Sequence, residues 1–310
     1  MTFSVLAHDP VAGHLGVASQ SHYLGVGAVV TWAEAGAGAI ATQAFADAGY
    51  GARGTEMMRE AATAPKVLAR LLAEDATPHL RQVAMLDRAG TIATYTGRGC
   101  VPAAGEARSA GVVAIGNTLD NDAVPTAIIQ GYNEATGDLA HRLVAAMQAG
   151  EAAGGDIRGR QSAALRVVKS SPTSTPWVGV VCDLRVDDHS DPLPELARLL
   201  ELQDVFDAVS QVVFDPGGAV LGVAELDERA YRIATERLAE ADQKLGPNPE
   251  AALWAAVVYA RAGQHDLARR MLDQAARRNS RLPTLFGRMP EAGILTEAQI
   301  VAVGVTRQRT

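Results

Sequence analysis

The segment TFSVLAHDPVAGHLGVASQS (residues 2–21) decides how the rest of the chain is read. It holds two compact apolar runs, Phe3 to His8 and Leu15 to Ser19, separated by Asp9-Pro10 and a glycine, the pattern of two strands joined by a turn. Working outward, Val26 to Trp32 and Gly36 to Thr42 read as two more strands. Helical spacing then takes over at residues 51–63 and 66–74, where Val67, Leu68, Leu71 and Leu72 share one face. Three strands follow at Gln82 to Leu86, Thr91 to Thr96 and Gly111 to Asn117. A helix pair (Ala123 to Asn133, Leu139 to Ala152), two strands (Ser162 to Lys169, Trp177 to Leu184) and a helix (Pro192 to Leu202) complete the series. Runs of strands divided by helix pairs predict an α+β fold with antiparallel sheets covered by helices, not the strand-helix alternation of a parallel sheet.

Composition narrows the function classes. The 310 residues, 48% of them hydrophobic and 20% charged, suit one large domain plus a small one. A net charge of −7 without a basic stripe, and only 5% aromatic residues, argue against a nucleic-acid partner. The opening MTFSVLAHDP has neither a basic n-region nor an apolar run before a small-residue site, and no apolar run approaches the ~18 residues of a spanning helix. The expectation is a cytoplasmic protein with no membrane partner, acting on a small molecule. Cys100 and Cys182 stand alone and read as buried apolar residues in a reducing compartment.

The chemistry is expected at Thr2. Met1 precedes a small residue, and its removal would leave a threonine carrying a hydroxyl and a free α-amine together. An N-terminal amine, with an ordinary pKa of about 7.7–8.0, can take the proton of its own hydroxyl near neutral pH. Asn117, at the end of an apolar strand, offers an amide donor for a developing oxyanion. The run Gly154 to Ser162 brings Asp156, a partner for the α-ammonium, with Arg158 and Arg160 for a substrate carboxylate, and Gln161 and Ser162 for a polar network. Ser21, Gln43 and Tyr50, at or just after early strand ends, complete the candidate substrate-binding set. Three rivals stand beside this reading. Asp187, Asp188 and His189 form a possible metal cluster, although neighbours on a strand point in different directions. Ser21-His22 with His8-Asp9 invites a Ser-His-Asp reading without a G-x-S-x-G elbow. Cys100 is a lone thiol.

The motifs TFSVLAHDP (2–10), LGVASQS (15–21), VGAVVTWAEAGAGAIATQA (26–44), YGARG (50–54), GNTL (116–119), GGDIRGRQSAAL (154–165) and DLRVDDHSDP (183–192) carry a resemblance over roughly residues 2–190. The chain resembles an uncharacterised bacterial family, domain of unknown function 1028, placed among the N-terminal-nucleophile (Ntn) hydrolases. The resemblance implies a four-layer αββα sandwich with antiparallel sheets, a catalytic residue at the start of the first strand, an Asn as oxyanion donor, and no cofactor.

Beyond residue 190 the pattern turns helical, with Asp204 to Val213 and Asp227 to Leu245 either side of a loop at 214–222. NPEAALWAAVVYARAGQHDLARRMLDQAARRNSRLP (248–283) resembles one tetratricopeptide-like hairpin, which cannot bury its apolar face alone and so predicts docking on neighbouring helices or a homo-oligomer. LFGRMPEAGILTEAQI (285–300) is similar to a tail module proposed to bind peptidoglycan. The expected domains are 2–225, catalytic, and 226–310, helical. The reading is an Ntn hydrolase cleaving an amide or cyclic-amide C–N bond of a small molecule; the alternative is a non-catalytic binding or assembly module working through its helical part.

Overall fold

The computed structural model describes residues 2–222 and 226–305. The chain divides into two compact units, Met1–Leu200 and Glu201–Thr310. The first is a mixed α/β unit with two antiparallel sheets, and the second is all-α. The division falls inside helix α6 (Pro192–Val213), ahead of residue 225.

The larger sheet has the order β10-β9-β2-β1-β8-β7, built from β1 (Thr2–Asp9), β2 (His14–Ser21), β7 (Gly105–Ser109), β8 (Val112–Asn117), β9 (Ser162–Lys169) and β10 (Val180–Val186). The smaller has the order β3-β4-β5-β6, from β3 (Thr31–Glu34), β4 (Gly38–Ala44), β5 (Arg81–Asp87) and β6 (Ile92–Thr96). Side-chain alternation sorts the strand residues into three cores. Phe3, Val5 and Ala7 pack with Ile128, Leu143 and Met147 of helices α4 (Val124–Glu134) and α5 (Leu139–Ala152). Leu6, Leu15, Val17, Val113 and Ile115, from the opposite face of the same sheet, pack with Ala39, Ala41, Ala84 and Leu86 of the smaller sheet. The other face of the smaller sheet gives Ile40, Val83 and Met85 to helices α2 (Ala48–Arg59) and α3 (Ala64–Glu74) through Met58, Val67, Leu68 and Leu71. Two helix pairs thus cover two sheets that face each other.

Several local expectations need correction. Val26 to Trp32 is not a strand: α1 (Val26–Val29) forms a single turn, and β3 begins only at Thr31. Gly25 takes φ 62°, the Ser162 hydroxyl accepts from Val26 N–H, and Thr31 Oγ1 donates to Gly27 O, so local hydrogen bonds overrule the β preference of the valines. Trp177 opens in a 3-10 turn, Pro176–Gly179, and the strand starts at Val180. β7 escaped notice because it lies at the sheet edge and shows no apolar run; Glu106 and Arg108 are exposed. Residues 192–202 and 204–213 form one helix.

In the second unit, α7 (Glu228–Leu245), α8 (Glu250–Arg261), α9 (His265–Arg278), α10 (Leu282–Arg288) and α11 (Glu297–Ala302) share one core with Val205 to Val213. The hairpin α8–α9 is present, and α8 buries eight of its twelve residues, five of them alanine. The tail contributes Phe286, Met289, Leu295 and Ile300 to that core, and Thr296 closes a capping box with Gln299 at the start of α11. Among the described residues no helix is long and apolar enough to cross a membrane.

The close approach of β4 to β5 is testable. A Cβ on Gly38 would stand 2.3 Å from the backbone oxygen of Leu86, which the ladder holds in place, whereas a Cβ on Gly105 meets nothing within 4 Å. Gly38→Ala is expected to lower stability by about 1–3 kcal/mol and Gly105→Ala to leave it nearly unchanged, as read by urea unfolding.

Candidate active site

The layer between the two sheets is apolar along most of its length and turns polar at one end. Alternation that places Leu6, Val17, Ile115, Ala41 and Ala84 in this layer also places Thr2 and Ser4 of β1, Ser19 and Ser21 of β2, Gln43 of β4, Gln82 of β5 and Asn117 of β8 there. Register brings them to the same end: Thr2 lies opposite Asn117, Ser4 opposite Ser19, and Gln43 opposite Gln82. None of these side chains belongs to a residue more than 3% exposed. Seven buried polar residues in one layer must satisfy one another.

Their hydrogen bonds fix every amide orientation. Gln82 Nε2 donates to the backbone oxygen of Gly116 at 2.7 Å, and since a carbonyl only accepts, Gln82 Oε1 must face the other way. That oxygen accepts from Gln43 Nε2 at 2.8 Å and from Asn117 Nδ2 at 2.9 Å. Gln43 Nε2 also donates to Thr2 O at 2.9 Å, and Gln43 Oε1 accepts from Ser4 Oγ at 2.6 Å. The single hydrogen of Ser4 is thereby committed, so Ser19 Oγ donates to Ser4 Oγ across 2.7 Å. Thr2 Oγ1 donates to Ser21 Oγ at 3.0 Å. Asn117 Oδ1 and the hydroxyl of the next residue, Thr118, are buried without a partner among the described residues, and Thr118 takes φ 52°. The polar layer is thus rigid at Gln82 and Gln43 and unsatisfied at the Asn117–Thr118 corner.

Asp156 lies just beyond Ser21. Its Oδ2 accepts from His22 N–H at 3.2 Å and from Arg158 Nη2 at 2.8 Å, while Oδ1 accepts from Arg158 Nε at 3.1 Å. Ile157 N–H donates to Thr118 O at 3.2 Å, clipping this loop to the exit of β8. The buried carboxylate therefore sits between the end of β2 and the end of β8, neutralised by a two-pronged guanidinium.

The remaining candidates lie elsewhere. Arg160 pairs with Glu151 and Asp191 at the surface. Gln161 N–H donates to Ser21 O, but its side chain reaches Asp188. Ser162 Oγ donates to Tyr23 O and accepts from Val26 N–H, which fixes α1. Tyr50 packs on the far face of the smaller sheet, where its hydroxyl donates to Asp75 at 3.0 Å. The structure brings together Thr2, Ser21, Gln43 and Asn117, with Asp156 and Arg158 adjoining, and does not bring Tyr50 to them. The rivals do not assemble. His8 and Asp9 lie at the opposite end of β1 from Thr2, and Asp9 Oδ1 caps the turn at Val11 and Ala12. His189 Nδ1 accepts from Asp191 N–H, and among the described residues no three His, Cys, Asp or Glu side chains could hold a metal ion. Burial pushes the Cys100 thiol up, away from the thiolate that attacks.

Sequence reading missed Ser4, Ser19 and Gln82. The signal was present: each interrupts an apolar strand on the very parity that faces the neighbouring sheet, and polar residues there need partners.

Removing the Gln82 amide should strip partners from Gly116 O and Asn117 Nδ2 at once. Gln82→Leu is expected to lose about 3 kcal/mol or more of unfolding free energy in urea. Away from the site, the hydrogen bond from Arg81 holds Asp75 at a pKa of about 2, below the ordinary carboxylate value. A depressed folded value means the carboxylate stabilises the protein fully above about pH 4 and loses that contribution as pH falls toward 2. Thermal midpoints measured from pH 4 to pH 2 should fall less steeply in Asp75→Asn than in the wild type.

Comparison with known proteins agrees with this two-sheet unit. A family model described as a family of unknown function (DUF1028) matches residues 2–196. The crystal structure of a protein of that family from Silicibacter pomeroyi is 31% identical, with a TM-score of 0.58, covering 64% of this chain and 84% of that one. No curated protein matches the chain. The matched segment contains both sheets, their four covering helices and every residue of the polar layer, and on that ground the chain belongs to the DUF1028 family.

Proposed function

We propose that this protein is an N-terminal-nucleophile hydrolase, its two helix-covered sheets forming the αββα sandwich of that superfamily, and that it cleaves an amide or cyclic-amide C–N bond of a small molecule. The observation that carries the reading is the placement of Thr2: it opens β1, a central strand of the larger sheet, with its hydroxyl hydrogen-bonded to Ser21 in the inter-sheet layer and Asn117 opposite in register.

Once Met1 is removed, the Thr2 amine takes the proton of Oγ1 through a water, and Oγ1 attacks the substrate carbonyl carbon. Negative charge moves to the carbonyl oxygen. Asn117 Nδ2 carries two hydrogens and gives one to Gln82, which leaves the second to stabilise that oxyanion. Collapse expels the amine leaving group, which receives the proton held by the Thr2 amine, and water then releases the acyl group from Oγ1. Ser21 holds the Thr2 hydroxyl in place, and Gln43 fixes the Thr2 carbonyl. Asp156, paired with Arg158, pins the chain that follows Ser21 through His22 N–H. None of these steps calls on a cofactor.

The test is hydrolysis across a panel of small amides and lactams. Thr2→Ala should cut turnover by about a thousandfold or more with an unchanged thermal midpoint, Thr2→Ser should retain measurable turnover, and Asn117→Ala should lose about a hundredfold. Wild-type rates in folded Thr2→Ala would remove Thr2 from the mechanism and leave the non-catalytic binding module as the better reading.

A further inference from the structure

A second polar feature lies at the open edge of the same two-sheet layer, on strands that take no part in the Thr2 cluster. A cleft of about 300 Å³ is lined by Thr31, Trp32 and Glu34 of edge strand β3, Thr55 of α2, Arg166 of β9 and Arg185 of β10. Arg166 shares its strand face with Ala164 and Val168, and Arg185 lies opposite Ala164, so both arginines stand on the side of the larger sheet that faces the smaller one.

The charges here do not balance. Asp183 serves both guanidiniums, at 3.1 Å from Arg166 Nη1 and 3.5 Å from Arg185 Nε. Glu34, the other carboxylate of the cleft, is held by two bonds from Arg59. With Glu34 engaged by Arg59, the two arginines that line the cleft share the one carboxylate of Asp183. Arg166 Nε is buried and has no acceptor among the described residues, a state that native interiors seldom tolerate. The hydroxyls of Thr31 and Thr55 donate to Gly27 O and Gly51 O, so the donors without a matching acceptor are the guanidiniums. The Trp32 ring lies on the helix side of β3, against Gly51 of α2; its indole N–H, a donor only, is committed to Val29 O, so it offers no competing acceptor to the arginines.

We propose that this cleft binds a small carboxylate ligand, its carboxylate held by Arg166 and Arg185. A guanidinium fork matches any oxyanion, carboxylate or phosphate. The single unbalanced charge favours the carboxylate, because a phosphate monoester brings about −1.5 to −2 at neutral pH. The site is independent of the hydrolase reading, since Arg166, Arg185, Thr31, Glu34 and Thr55 lie on β9, β10, β3 and α2, whereas Thr2, Ser21, Gln43 and Asn117 lie on β1, β2, β4 and β8.

The test is calorimetric titration of the full chain with benzoate at fixed ionic strength, against benzamide as the uncharged isostere and inorganic phosphate as the alternative oxyanion. The expected result is saturable one-to-one binding of benzoate, none of benzamide, weaker binding of phosphate, and loss of about tenfold or more in benzoate affinity in Arg166→Gln and in Arg185→Gln. Arg185 is on an edge strand and 38% exposed, so Arg185→Gln keeps the test decisive where Arg166→Gln fails to fold. Absence of saturable benzoate binding, or affinity unchanged in Arg185→Gln, overturns the site; phosphate binding tighter than benzoate overturns the carboxylate assignment.

Discussion

The polar end of the inter-sheet layer depends on the side-chain amide of Gln82. One nitrogen bound to the Gly116 carbonyl obliges the oxygen to face Gln43 and Asn117, and those two contacts settle the orientation of every other amide in the cluster. Gln82 sits on the smaller sheet, while Gly116 and Asn117 belong to β8 of the larger one, so the amide also joins the sheets where apolar packing gives way. A buried polar network of this kind is costly when broken and specific when complete. Its completeness at Gln82 makes the lone Asn117 oxygen and the neighbouring Thr118 hydroxyl conspicuous, because among the described residues the side chains of Thr2, Ser4, Ser19, Gln43 and Gln82 all find partners.

A strand alternation that buries both faces of a sheet leaves little room for chemistry except at strand ends. β1 illustrates this: Phe3, Val5 and Ala7 serve the helix side, Leu6 serves the sheet side, and Thr2 and Ser4 are the positions on the sheet side where polarity enters. The loop of Asp156 approaches the same corner because β2 and β8 both end there; His22 N–H donates to the Asp156 carboxylate, and Ile157 N–H donates to Thr118 O. The site is thus a consequence of where three neighbouring elements stop. Arg166 and Arg185 occupy the other place where the layer opens, along its edge at β3 and β10.

Much of this was legible in the residues. Apolar runs located β1, β2, β5, β8 and β9, and α5 and β9 fall on the expected bounds because their periodicity is unbroken and their ends carry turn residues. Thr2, Ser21, Gln43 and Asn117 stand out by residue type and position near strand ends, and Asp156 by its place in a glycine-rich loop; the structure sets all five at one end of the inter-sheet layer. Tyr50 does not, since helix α2 turns it to the opposite face of the smaller sheet. The α1 turn was hidden because its cause is Ser162, distant in sequence, and β7 because an exposed edge strand carries no apolar pattern. Gln82 differs: its polar side chain on the inward parity of β5 marks it in the sequence, but the partners it joins, Gly116 and Asn117, are set only when the two sheets are superposed.

The proposed chemistry requires Thr2 to become the first residue. The most direct measurement is the intact mass of protein expressed without an added N-terminal tag. Loss of the mass of one methionine, leaving Thr2 with a free amine, is the predicted result. A chain that retains Met1 in its native host would place the amine on the wrong residue and contradict the assignment of Thr2 as the nucleophile.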